Sequence, residues 1–112
     1  MAETYTKASL TLATTAITAT GCLVYTATGP TIIIGAQAAN IDGSNSEQVD
    51  FALDVGGAGT TIRYYAKGTT VATGAALNLI ADRQVLETGD KLRARAGSAS
   101  GVDLIVSLVE IS

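Results

Sequence analysis

Histidine and tryptophan do not occur among the 112 residues, and cysteine, proline and phenylalanine occur once each. Without histidine, the commonest general base near neutral pH and the usual partner of a nucleophilic Ser or Cys is missing, which argues against an enzyme. A single cysteine, Cys22, rules out an intrachain disulfide and a four-cysteine zinc site. Aromatic residues are 4% of the chain against 47% hydrophobic residues overall, so the core has to be assembled from Ala, Val, Ile and Leu. Charge is also sparse: ten acidic and seven basic side chains leave a formal net charge of -3, which provides no cationic footprint for a phosphate backbone. Nucleic acid is therefore not an expected partner. No apolar run approaches the roughly 18 residues of a membrane-spanning helix. Met1-Ala2-Glu3-Thr4-Tyr5 has neither the basic nor the apolar region of a secretory leader, so neither a membrane nor secretion is expected.

What is present is enough for one domain. A chain of this length buries roughly 60 to 68% of the surface that its unfolded form exposes, without help from a metal or disulfide. A core of small and medium aliphatic side chains is light for its size, and contacts between copies are expected to supply part of the stability.

Alternation of polar and apolar residues predicts strands over Tyr5–Ala13, Cys22–Ala27, Thr31–Ile41, Val49–Val55 and Thr60–Ala66. Further strands are predicted over Ala75–Ile80, Leu92–Ala96 and Val102–Ile111, with Gln84–Leu86 a short extended piece. Thr14–Gly21 is Thr- and Ala-rich and reads as an irregular link; Lys67-Gly68 reads as a break. On this division residues 1–21 are an N-terminal strand and link, a candidate inter-subunit arm, and residues 22–112 are the folded domain. In Thr31–Ile41 strict alternation sets Ile32, Ile34, Ala36 and Ala38 on one face and Ile33 on the other, nominally outer one. In Val102–Ile111 both faces are substantially apolar. Such a strand is central and covered on two sides, carries a bulge, or faces another subunit. Short strands separated by Gly-rich or Asx-rich turns describe an antiparallel sandwich or small barrel of about eight strands.

The turns carry structure and no recognised chemistry. Gly56-Gly57-Ala58-Gly59 lacks phosphate-loop spacing and leads into a strand. Gly89-Asp90 is read as a register-setting turn, with Gly89 at positive φ and the Asp90 carboxylate fastening nearby backbone. Asp42, Ser44, Asn45 and Glu47 bring oxygen atoms together without the spacing of a calcium loop, so a polar turn is the expectation. Asp50 and Asp54 project from one face of one strand roughly 13 Å apart, too far for the carboxylate pair of a glycosidase. Lys91, Arg93 and Arg95 line one face of a strand and read as its solvated polar side. No catalytic residue, metal ligand or cofactor is assigned.

Leu23-Val24-Tyr25-Thr26, Ala39-Asn40-Ile41-Asp42, Val85 through Leu92 and Val106 through Ile111 resemble a family of small tailed-phage virion proteins, with the similarity running from Cys22 to the end of the chain. The resemblance implies an all-β fold, an antiparallel β-sandwich of jelly-roll-like or immunoglobulin-like type. It further implies many copies in a particle as a capsid decoration, neck or tail accessory, made in the host cytoplasm and resident in the virion. Its expected partners are other phage structural proteins and sister copies, a trimer by family analogy. Ile33, Ile105, Val109 and Ile111, with Tyr65 and Arg63, are the residues expected at the subunit interface. The competing function is a module for a host glycan centred on Tyr65 beside Arg63. Such a site needs convergent aromatic and polar groups, and tyrosines scattered at positions 5, 25, 64 and 65 favour assembly.

Overall fold

The computed structural model describes residues 3–111. Among the described residues nine strands follow one another: β1 (Glu3–Thr11), β2 (Leu23–Thr26), β3 (Thr31–Asn40), β4 (Glu47–Asp54), β5 (Ile62–Val71), β6 (Ala76–Asn78), β7 (Gln84–Leu86), β8 (Lys91–Ala96) and β9 (Val102–Ile111). They form two antiparallel sheets. One runs β1-β9-β3, with β6 and β7 both paired to β3; the other runs β2-β8-β4-β5. The protein is an all-β antiparallel β-sandwich. Its core is as aromatic-poor as the composition requires: Phe51 shares one buried cluster with Leu12, Ile33, Leu86, Leu92, Leu104 and Leu108, all fully buried.

The strand of isoleucines departs from strict alternation. Between Ile33 and Gly35 the pairing of β3 with β9 slips by one residue, so Ile33 lies opposite Leu108 and Gly35 opposite Ser107. A bulge of this kind reverses the facing of everything beyond it. Ile33 is therefore in the core at 0% exposure, and Ile34 is out at 43%. The expectation that Ile33 faces a neighbouring subunit is corrected: its side chain has no surface to offer.

The other revisions also concern places where the chain continues through an apparent break. Gly68 sits at φ 63 inside β5, its N–H donating to the Asp50 carboxylate at 2.7 Å, so Lys67-Gly68 is a bulge in one long strand. The N-terminal segment is no separate arm. β1 pairs with β9 residue for residue from Glu3↔Ile111 to Thr11↔Asp103. The link after it lies on the four-stranded sheet, where Arg93 donates to the carbonyls of Thr18 and Ala19 at 3.1 and 3.3 Å. The sandwich therefore begins at β1 and not at residue 22.

The glycine turns meet at one end of the sandwich. Gly89 has φ 94, and the Asp90 carboxylate accepts the N–H of Glu87 and that of Gly56, each at 2.9 Å. The Asp90 side chain thus ties its own turn to the Gly56–Gly59 turn, a longer reach than fastening adjacent backbone. A Cβ on Gly57 would come within 2.5 Å of the Gly89 carbonyl oxygen, so the two turns are packed backbone to backbone. Gly89→Val is expected to cost about 1 to 3 kcal/mol from its positive φ alone. Thermal denaturation checks this, and an unchanged melting temperature would contradict it.

Candidate interaction face

β9 is central in its sheet, and its even-numbered residues from Val102 to Leu108 are fully buried in the core. Its odd-numbered residues form the middle of the opposite, outward face. The register there places Tyr5 of β1 beside Val109, Val109 beside Ile32 of β3, and Ile32 beside Val85 of β7. This is an apolar row crossing four strands. The bulge adds Ile34 next to it, and Ile105 stands in the following section of β9. No segment of the described chain covers this face: Tyr5 is 73% exposed, Val85 67% and Ile105 50%.

The polar side chains around the row are mostly small. Ser9, Ile105, Gln37 and Asn78 form one cross-strand line, and Thr11, Asp103, Ala39 and Ala76 another. Thr11 donates its hydroxyl to Asp103 at 2.7 Å, which occupies one of the few charges present. Three shallow depressions of about 420, 400 and 520 Å³ lie across the same face, bordered by Ser9 and Asp103, by Gln37 and Asn78, and by Tyr5 and Ile34. Three strands of nine or ten residues spaced about 4.8 Å apart, with the three-residue β6 and β7 beside them, offer on the order of 500 Å² of surface, against the roughly 800 Å² that each side of a standard protein interface buries.

The outer face of the four-stranded sheet is built differently. Arg93 and Arg95 of β8 stand beside Asp54 and Asp50 of β4, with Arg93 Nε 2.9 Å from Asp54 and Arg95 Nη1 3.0 Å from Asp50. The Thr14–Thr20 link crosses this ladder. Arg93, Asp50 and Asp54 are consequently buried, so the expected solvated polar side of this strand is corrected at Arg93, which is ion-paired under a cover, while Arg95 pairs at the half-exposed margin. Cys22 is buried near the same link, its thiol 2.8 Å from the Thr15 hydroxyl. At another loop, Asp42 accepts the Ser44 N–H at 3.0 Å, and that bond, followed by the Glu47 side chain, holds the Asp42 carboxyl below its ordinary value.

Of the residues expected at an interface, Ile105 lies exposed on the open face; Val109 shares that face but is nearly enclosed, at 6% exposure, so the expectation that it offers surface to a neighbour is corrected. Ile111 is half-buried at the end of β9, its N–H bonded to the Pro30 carbonyl at 3.0 Å. Arg63 is exposed on β5, in the other sheet. Tyr65 is half-buried, its ring 5.3 Å from that of Phe51. Burial, and then the Asp90 charge, push its phenol up to about 12. The neighbouring Tyr64 ring carries the Lys67 ammonium 4.3 Å from its centroid. Arg63 and Tyr65 are thus not joined to Ile105 in one surface. Tyr5, Ile32, Ile34 and Val85 are the members that sequence reasoning missed. An unexplained third isoleucine in a row was the signal for Ile34.

The class defined by the fold is a small antiparallel β-sandwich with one open, mostly apolar sheet face. No family model matches the chain. No curated protein matches it. Among solved structures it is similar to Eiger TNF from S. frugiperda, at 12% identity and a TM-score of 0.40, over 80% of this chain. The chain spans 64% of the length of that structure.

Proposed function

We propose that this chain is a non-enzymatic structural protein that packs in multiple copies, using the outer face of the β1-β9-β3 sheet as its packing surface. The observation that carries this reading is the exposed apolar set Tyr5, Val85, Ile34 and Ile105 on one sheet face, joined through half-buried Ile32 and the nearly enclosed Val109. Contiguous apolar surface of that kind, rimmed by small polar groups, marks a protein contact. The sequence resemblance to small tailed-phage virion proteins supports placing the copies on a capsid, neck or tail, with other virion proteins as further partners. A host-glycan module has less support, because Tyr65 packs against Phe51 and is not free to stack on a sugar.

The test is incorporation into particles. Ile34→Asp/Ile105→Asp should lower the copy number per particle about ten-fold or more, while the purified variant keeps the parent melting temperature. Quantitative mass spectrometry of the particles reads this. Particles that never contain the chain, or that take up the variant fully, would refute the proposal.

A further inference from the structure

The sheet edges differ in how well they are closed. β6 and β7 are three residues each and β2 is four, with a bulge against β8. β5 is long, but its pairing with β4 is interrupted by register shifts, and its Gly68 N–H is turned inward to Asp50. Bulges and very short strands are the devices that keep an edge from adding another strand. β1 has neither a bulge nor a short span: nine residues in unbroken register, without proline, guarded only by the charges of Glu3 and Lys7, which an opposed pairing can complement.

The direction of its free groups follows from the ladder. The Leu12 N–H donates to the Val102 carbonyl at 2.8 Å, which makes the even-numbered residues of this stretch those bonded to β9. In an antiparallel ladder alternate residues point the other way. The N–H and C=O groups of Glu3, Tyr5, Lys7, Ser9 and Thr11 therefore face the open edge, and their side chains stand on the uncovered sheet face.

We infer that β1 pairs antiparallel with β1 of a second copy about a two-fold axis at Tyr5. Outward-pointing residues can only meet each other, which limits the axis to Tyr5, Thr6 or Lys7 among the central positions. An axis at Lys7 opposes two ammonium groups. An axis at Thr6 leaves Glu3 opposite Ser9 of the second copy. An axis at Tyr5 sets Glu3 opposite Lys7 of the second copy, and Lys7 opposite its Glu3, so both charges on each strand are complemented. The contact is isologous and closes as a dimer. It adds main-chain bonds in the manner of strand addition. It also joins the row Tyr5, Val109, Ile32 and Val85 to the same row of the second copy, doubling the width of the packing face. The dimer deepens the multi-copy reading above and rests on it for the choice of partner. Because its test uses the purified chain alone, failure here is distinguishable from failure to enter particles.

Sedimentation equilibrium should find a dimer. Lys7→Glu should raise its dissociation constant about ten-fold or more, and Glu3→Lys/Lys7→Glu should restore it. Cross-linking fixes the axis independently. Under mild oxidation Tyr5→Cys should give a covalent dimer, its paired Cα atoms being about 5.5 Å apart. Lys7→Cys should not, since its copies would lie about 13 Å apart along the strand. A monomer at all concentrations, a trimer, an unaffected Lys7→Glu variant, or cross-linking through Lys7→Cys in place of Tyr5→Cys would overturn the inference. Circular dichroism melting confirms that each variant is folded, as expected for exposed positions.

Discussion

Asp54→Ala is expected to destabilise the domain by about 3 to 5 kcal/mol, a large part of the 5 to 15 kcal/mol typical of a domain. Asp54 is fully buried, and its carboxylate accepts from Arg93 Nε at 2.9 Å and from the Gly59 N–H at 3.0 and 3.1 Å. Removing it strands a buried guanidinium, whose remaining contacts are the neutral carbonyls of Thr18 and Ala19. The cost comes mainly from that unpaired charge, so Asp54→Ala/Arg93→Met should recover much of the loss. Urea unfolding midpoints measure both. The loss should also loosen the link over the sheet, and Cys22 should react faster with a thiol reagent in Asp54→Ala than in the parent.

Two adjacent isoleucines should behave in opposite ways. Ile33→Ala should cost about 2 to 5 kcal/mol, because it empties a fully enclosed site in a core with few large side chains. Ile34→Ala should stay within about 0.5 kcal/mol of the parent. Strict alternation expects the reverse, since it sets Ile34 with Ala36 and Ala38 on the inner face. Thermal or urea denaturation of the pair therefore tests the bulge directly, and equal losses at both positions would contradict it.

Much of the fold was legible because local pattern and local structure agree. The alternation of Val49, Phe51 and Leu53 with Asp50, Ala52 and Asp54 is the alternation of β4, whose apolar set enters the core, while Val55, the next of that set by alternation, falls past the strand end and is exposed. Gly89 occupies the positive φ that its turn signal implied, and Asp90 accepts backbone N–H groups as a turn acid does. The unusual final strand was recognised as two-sided, and it is a central strand with its second face open. What was not legible is where alternation is interrupted on purpose. A bulge at Ile33–Gly35 or at Gly68 depends on the neighbouring strand, and neither leaves a signature in its own segment beyond a glycine.

The sequence by itself determined the all-β class, the aliphatic core, most turn positions and the polar or apolar character of most strand faces. These follow from side-chain period and backbone preference, which act over a few residues. Only the tertiary structure decided which face is free. It put Ile33 inside and Ile34 outside, laid the Thr-rich link over Arg93, and drew Tyr65 onto Phe51. It also aligned Tyr5 with Val109, Ile32 and Val85 from four distant parts of the chain. Those outcomes depend on pairing register and on which sheet a segment comes to cover, and both are settled by contacts between residues far apart in sequence.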